Sequence, residues 1–542
     1  MQLNISKLNF LSNKKPWLVF IFFTLLVVVL RWSSFYRTVI DWDESLYLLV
    51  AKAWADGNPP YTAIWDNKPP GIYLIFLAAI TTLGHSVIPI RIFACVFIAT
   101  TSFFLSKIGS LVEKNGNIIG LLAGVLYAIA TLSNGGLAAN TEIFFTTFVA
   151  IAIYIFFSHN FYDEEITHTK YTTLFGVGFL LGIAFEIKYV VLFDFIALSL
   201  ILMSTLIFKV QSHKKYWLIV KTFSVLILGF TLPFIAFSFY FWVIGHFDEY
   251  FYANFTANKL RTIDIQFSFI EPFKAIYQKS RIDIIIWLSM PFLTVICFSI
   301  TKKNNHIIST ISVREKWLLS SLMFWMFTIL MGIYITLRGS FYGHYFIQVL
   351  PILCFVVAYI LINLIFGSRE IGQITIKQYM ILGFLLALLI GNPGTFRALE
   401  SSVKYIYFRN IQGFEEWGDT AALISKYLKN KVNSNDYIYV VNEVPIVYFL
   451  TNTKTPTRYA FPPFLFIQSD LPNITGVEPH EELDLILQKR PLYIIKWMSF
   501  GDSHYVGINK IFLNKLDQAL SENYQFETSI DNLGLYRLKN RT

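Results

Sequence analysis

The chain has 542 residues, of which 55% are hydrophobic, 18% aromatic and only 15% charged, with a mean hydropathy of +0.54 and a formal net charge of +9. A soluble globular protein carries about 25% charged residues, so this composition excludes an ordinary soluble protein. Residues 401–542 hold 15 Lys/Arg and 15 Asp/Glu, against 29 and 20 in residues 1–400, so the whole excess lies in the apolar part. There it reads as cytoplasmic loop charge rather than as a nucleic-acid surface, and no nucleic-acid partner is expected.

Lys7, Lys14 and Lys15 precede the apolar run from Pro16 to Leu30, which continues into Arg31-Trp32 with no small-residue cleavage site. The run is read as a first spanning helix rather than a cleaved signal. At roughly 20 apolar residues per crossing, eleven spans are expected, near 16–35, 89–111, 117–133, 142–158, 172–187, 189–208, 217–243, 283–300, 317–337, 345–366 and 379–392. The 14 residues of 71–84 would rise only about 21 Å as a helix, which suits an interfacial or re-entrant segment. Cys95, Cys297 and Cys354 lie in apolar runs without metal-like or paired spacing and read as packing residues.

With the N-terminus inside, the expected inside segments hold 15 Lys/Arg and the longer outside segments 11. The positive-inside rule favours this orientation. It divides the chain into a membrane domain, 1–395, with external loops 36–88 and 244–282, and an external soluble domain, 396–542. In the latter, 436–441 and 491–496 read as buried strands and 417–428, 481–487 and 510–520 as helices, a small α/β domain suited to capping a cavity or holding an acceptor. The fold class is thus a polytopic α-helical membrane protein with a small C-terminal α/β domain.

The first external loop carries most of the chemistry. Asp41, Asp43 and Glu44 stand at the exit of the first helix, where carboxylates are costly unless they face water, a partner or a ligand. Two readings stand side by side: Asp41 or Asp43 caps a helix, or one of them does chemistry. Asn58-Pro59-Pro60 ends a short helix, and Asn67-Lys68-Pro69-Pro70-Gly71 forces an extended turn. Lys68 is therefore held by rigid neighbours at the membrane face, a suitable place to meet a lipid phosphate.

Asp-Glu after the first helix, a tyrosine three residues on, Gly57-x-x-x-Tyr61 and Lys68-Pro-Pro-Gly together resemble the first external loop of the glycosyltransferase C superfamily. The chain is similar to dolichyl-phosphate-mannose protein mannosyltransferases and bacterial lipid A aminoarabinose transferases. The likeness extends through Arg91, Asn140-Thr141-Glu142, Lys188 and the segment from Arg338 to Pro351. It implies an enzyme of the bacterial inner membrane, with its active site outside. A polyprenyl-phosphate sugar is the implied donor and a glycolipid such as lipid A, a polysaccharide or a protein the acceptor, with inversion at the anomeric carbon. Asp43 is the implied base or acceptor-binding carboxylate, paired with Glu44, and Lys68 lies by the donor phosphate. Where the aminoarabinose transferases carry Glu before that lysine, this chain has Asn67, with Asp66 one residue earlier; no metal ligand or cofactor is assigned.

That chemistry builds negative charge on the leaving phosphate and releases an acceptor proton, so it needs cations and a base. Lys68 and Arg91 suit the first role, and Lys188 and Arg338 stand equally between phosphate binding and snorkelling to the interface. Glu142 either belongs to an ordinary helix cap with Asn140 and Thr141 or orients the sugar. His344 and Tyr345 are read as polar wall residues. In 244–282, basic and aromatic residues alternate, as in a helix lying on headgroups, and His246 alone is weak support for zinc. The competing class is a transporter or flippase, which would also place polar groups among many helices.

Overall fold

The computed structural model describes residues 15–159, 161, 168–209, 215–263, 312–336, 342–366, 393–443, 445–466, 474–498 and 509–539. The expected spans 283–300 and 379–392, the basic residues Lys274, Lys279 and Arg281, and Arg338 lie outside them. The chain divides into two compact units: Met1–Ser33, Ile92–Phe237 and Phe269–Val403 form the first, and Ser34–Arg91, Ser238–Ser268 and Lys404–Thr542 the second. The C-terminal residues therefore share a unit with the segments read as external loops.

The first unit is built from helices α1 (Pro16–Leu30), α4 (Ile88–Gly109), α5 (Gly116–Ala130), α6 (Thr141–Ser158), α7 (His168–Phe185), α8 (Leu192–Lys209), α9 (Lys215–Val243), α12 (Val313–Thr336) and α13 (Leu350–Phe366). Six described segments are long and apolar enough to cross a membrane: Ile88–Gly109, Thr141–Ser158, Tyr189–Ile207, Tyr216–Val243, Val313–Thr336 and Gly343–Asn363. The shorter Pro16–Leu30 and Gly116–Ala130 are also apolar, and α7 fills the expected 172–187. Helix α13 packs along α5, α6 along α7, and α12 against α8.

Between lipid-soluble helices the association comes from close packing, so small residues mark the contacts. Gly178 and Gly182, one turn apart on α7, face Leu226 and Phe230 of α9, where a Cβ would lie 2.3 Å from a backbone oxygen at either position.

The second unit contains α2 (Trp42–Ala55) packed on α3 (Pro70–Leu83). Helix α3 is the short apolar run, 14 residues long, begun by Pro69-Pro70. The same unit includes α10 (Phe247–Phe251), a π-turn at Tyr252–Thr256 and α11 (Ala257–Ile263). Helix α14 (Pro393–Tyr405) and a further π-turn lead to α15 (Thr420–Leu428), β1 (Ile438–Val440), α16 (Ile446–Thr451), α17 (Pro479–Gln488), β2 (Tyr493–Trp497), α18 (Lys510–Asn523), β3 (Tyr524–Ile530) and β4 (Leu533–Leu538). The sheet has the order β1-β2-β4-β3. Its β1–β2 pair is parallel, with Tyr439 opposite Ile494, and its other pairs are antiparallel. The two expected strands and three expected helices are present; α14, α16 and the β3–β4 hairpin are additional.

The C-terminal residues are stitched to the first loop. Asp419 caps α15 through Ala422 N and also accepts from Thr38 N and Oγ1, both at 2.7 Å. Trp65 N donates to Arg458 O at 2.8 Å, and its ring meets Phe464 edge-on. Helix α16 packs on α2.

The close helix contact predicts a strong size dependence. Gly182→Val should lower the thermal stability of the purified protein by about 1–3 kcal/mol, because its side chain meets backbone rather than a movable side chain. Gly176→Ala, with nothing within 4 Å of the new methyl, should not. Equal melting temperatures for the two variants would refute the tight α7–α9 contact.

Candidate functional site

The described candidate residues fall into two groups, one in each unit. In the second unit the N-terminus of α2 settles the competition among three carboxylates. Asp41 takes the extended N-cap conformation and accepts from Asp43 N at 3.0 Å, while Glu44 reaches back to the backbone N–H of Ile40 and Asp41. This is a capping box. The Asp43 carboxylate is left to face other partners.

Asp43 Oδ2 accepts from the Tyr47 hydroxyl, one turn along the helix, at 3.2 Å and lies 3.7 Å from Lys68 Nζ. The two side chains are 23% and 21% exposed, so this acid–base pair is reached by solvent. Lys68 precedes Pro69, the N-cap of α3, and its carbonyl accepts from the Tyr61 hydroxyl at 2.8 Å.

Glu44 and Arg91 are both 1% exposed and closed on each other through two contacts, Arg91 Nη1 to Oε2 and Nη2 to Oε1, the latter at 2.6 Å. Glu44 is thus a buried carboxylate beside Asp43, and Arg91 is its counter-ion. Asp66, to which the sequence assigned no role, is 2% exposed and accepts from Tyr73 Oη at 2.8 Å and Asn67 N at 2.7 Å. Burial pushes its carboxyl above the ordinary 3.8; Lys68 opposes the shift and the Asp43 charge adds to it. The Asn67 amide is bonded to Asn258 at 3.1 Å. Among the described residues no three His, Cys, Asp or Glu side chains gather as metal ligands; His246 meets Glu249 at 3.5 Å.

In the first unit, Glu142 lies in the first turn of α6, fully buried, with Lys188 Nζ on one carboxylate oxygen and Thr141 Oγ1 on the other at 3.0 Å. Lys188 Nζ also stands 3.9 Å above the Tyr345 ring, and His344 meets that ring edge-on at 5.0 Å. Asn140 occupies the N-cap without capping; its buried amide makes no hydrogen bond, and neither does that of Asn134, which has a left-handed backbone at φ 57°. Arg31 clamps the same turn, donating to Gly136 O and Leu137 O at 2.7 Å each. Nothing in the local sequence marks Arg31, because these partners lie 105 and 106 residues along the chain.

A sequence model of the family described as dolichyl-phosphate-mannose-protein mannosyltransferase matches residues 67–240, a stretch that includes Lys68, Arg91, Asn140, Glu142 and Lys188. No curated protein matches the sequence. Among solved structures, ArnT from Cupriavidus metallidurans bound to undecaprenyl phosphate is 12% identical, with a TM-score of 0.54, and the match covers 95% of this chain and 97% of that one. The chain has a glycosyltransferase C fold. The same ArnT in the apo state gives a TM-score of 0.53 at the same identity and coverage. The archaeal oligosaccharyltransferase AglB from Archaeoglobus fulgidus overlaps more loosely, at 12% identity and a TM-score of 0.45, over 90% of this chain and 70% of that one. The superfamily resemblance read from the first loop is thus met by both a family match and a fold match.

The raised Asp66 value gives the chain a pH signature. A carboxyl whose folded value lies above its unfolded one favours the folded state fully below the unfolded value, near 3.8, and loses that contribution as pH rises through the folded value. Asp66→Asn should remove this loss. In melting curves of the purified protein, the parent should lose stability relative to the variant as pH rises above 3.8; parallel curves would show that Asp66 does not titrate in this way.

Proposed function

We propose that the chain is an integral-membrane glycosyltransferase that moves a sugar from a polyprenyl-phosphate donor to a hydroxyl of a glycolipid, polysaccharide or protein acceptor. The observation that carries this reading is the solvent-reached Asp43–Lys68 pair beside a closed Glu44–Arg91 pair. A cation for a leaving phosphate and a carboxylate for an acceptor proton stand together, each on a firmly held backbone. The family match and the ArnT fold, whose solved complex holds undecaprenyl phosphate, support a lipid-phosphate donor.

In the proposed reaction the acceptor oxygen attacks the anomeric carbon as its bond to the phosphate oxygen breaks, with inversion. The acceptor proton passes to an Asp43 carboxylate oxygen, and the phosphate leaves as the lipid phosphate beside Lys68. Glu44 and Arg91 act as positioning groups that hold the start of α2. Asn140, Glu142, Lys188, His344 and Tyr345 are proposed as substrate contacts of the other unit, with unpartnered amides suited to sugar hydroxyls.

Asp43→Asn keeps size and hydrogen bonding but cannot take a proton, so turnover should fall by roughly 10²-fold or more with donor binding retained. Lys68→Ala should instead weaken binding of polyprenyl phosphate by about 1.5 to 3 kcal/mol. Parental turnover by a folded Asp43→Asn protein would dismiss the base, and parental binding by Lys68→Ala the phosphate ligand.

The proposed external site also predicts an orientation. A cysteine placed at Asn58 should react with an impermeant reagent added outside intact cells, and one at Lys214 should not. Labelling at Lys214 would reverse the inside assignment of that loop.

A further inference from the structure

The lysine of the proposed site is held by residues outside the acid–base pair. Tyr61 is fully buried and has φ 76°, a left-handed conformation that bulky residues rarely adopt. Pro59 and Pro60 fix the chain just before it. Its ring packs among Tyr73, Phe241 and Tyr250, at centroid distances of 6.0, 5.6 and 6.1 Å. Its hydroxyl donates to the Lys68 carbonyl at 2.8 Å. Such a backbone persists only where its surroundings over-determine it, and here what it delivers is one hydrogen bond to the lysine turn.

One residue before Lys68, Asn67 is fastened twice to Asn258 of α11. Asn67 Nδ2 donates to Asn258 Oδ1 at 3.1 Å, and Asn258 Nδ2 donates to Asn67 O at 3.1 Å. Asn258 is itself tied to Asn254 O at 2.9 Å. After Lys68 come Pro69 and Pro70. The lysine backbone is thus restrained on both sides, although its side chain is partly exposed.

We propose that Tyr61 and Asn258 are positioning residues that preset the Lys68 ammonium for a lipid phosphate and keep it from closing onto Asp43. The proposal rests on the reading of Lys68 as a phosphate ligand. The 3.7 Å separation is longer than the roughly 2.7–2.9 Å of a close charge-assisted contact. A slack turn would let the ammonium settle on the carboxylate, which would occupy the phosphate ligand and the base together. A preset cation also loses less freedom when the phosphate arrives.

The test is a double-mutant cycle on the purified full-length protein, reading the dissociation constant of undecaprenyl phosphate in detergent. Tyr61→Phe keeps the ring and removes the hydroxyl, and it should weaken binding about fivefold, the ordinary size of one hydrogen bond. Lys68→Ala should weaken it further. Because Tyr61 acts through the lysine, Tyr61→Phe should change nothing in the Lys68→Ala background. Asn258→Ala should behave in the same way, and it carries the cycle if Tyr61→Phe fails to fold. Weakening by Lys68→Ala with none by Tyr61→Phe and Asn258→Ala, or equal weakening in both backgrounds, would overturn the positioning role. Unchanged binding by Lys68→Ala would instead overturn the phosphate-ligand reading on which it stands.

Discussion

The buried Glu44–Arg91 pair is the constraint on which the candidate site depends. Removing a carboxylate and a guanidinium from water costs several kcal/mol per ion, and this is offset only where geometry is good and the remaining lone pairs are used. Glu44 meets both conditions: its two oxygens take the Arg91 fork, and one also accepts from the backbone that enters α2. The consequence is mechanical. The first turn of α2 is locked to Arg91 within the second unit, and Asp43, next in the chain, inherits a fixed position it has no part in creating.

Three carboxylates stand within four residues, and helix geometry gives them different work. The N-cap position needs a short side chain that accepts a backbone N–H, which Asp41 supplies; the third helical position needs one long enough to reach back, which Glu44 supplies. Asp43 lies between, where the helix dipole favours a negative charge but capping does not use the side chain. Tyr47, four residues on, is the neighbour that helix spacing brings to it. Capping in this stretch therefore falls to Asp41 and Glu44 and leaves the Asp43 side chain outside it.

Much of this was legible because it is local. Hydropathy located the described spans, since a bilayer demands length and apolarity of each segment separately, and the Pro-Pro turn marked Lys68. Contacts between distant segments were not legible. Asn258 lies 191 residues from Asn67, and Asp419 lies 381 from Thr38, so no pattern within either segment reveals them. The same holds for Arg91, read as a phosphate ligand from its charge and motif: its pairing with Glu44, 47 residues away, shows in neither segment. The β3–β4 hairpin is a different kind of miss: Asp531-Asn532 joins two short strands, and their exposed residues on β3 weaken the alternation that signals a buried sheet.

The two lysines of the candidate set show how burial separates roles that charge alone leaves equal. Lys188 is closed on a fully buried carboxylate and stands over an aromatic face, so drawing its ammonium away would strand the Glu142 charge, at about 3–5 kcal/mol for a buried pair losing one partner. Lys68 holds a longer contact to a carboxylate that water reaches, the kind of pair worth about 0–1 kcal/mol. An arriving phosphate would thus replace a weak contact at Lys68 and a strong one at Lys188. On these energetics the proposed phosphate ligand, Lys68, is the lysine whose present carboxylate contact is the weaker to give up, and Lys188 the one whose contact is the stronger.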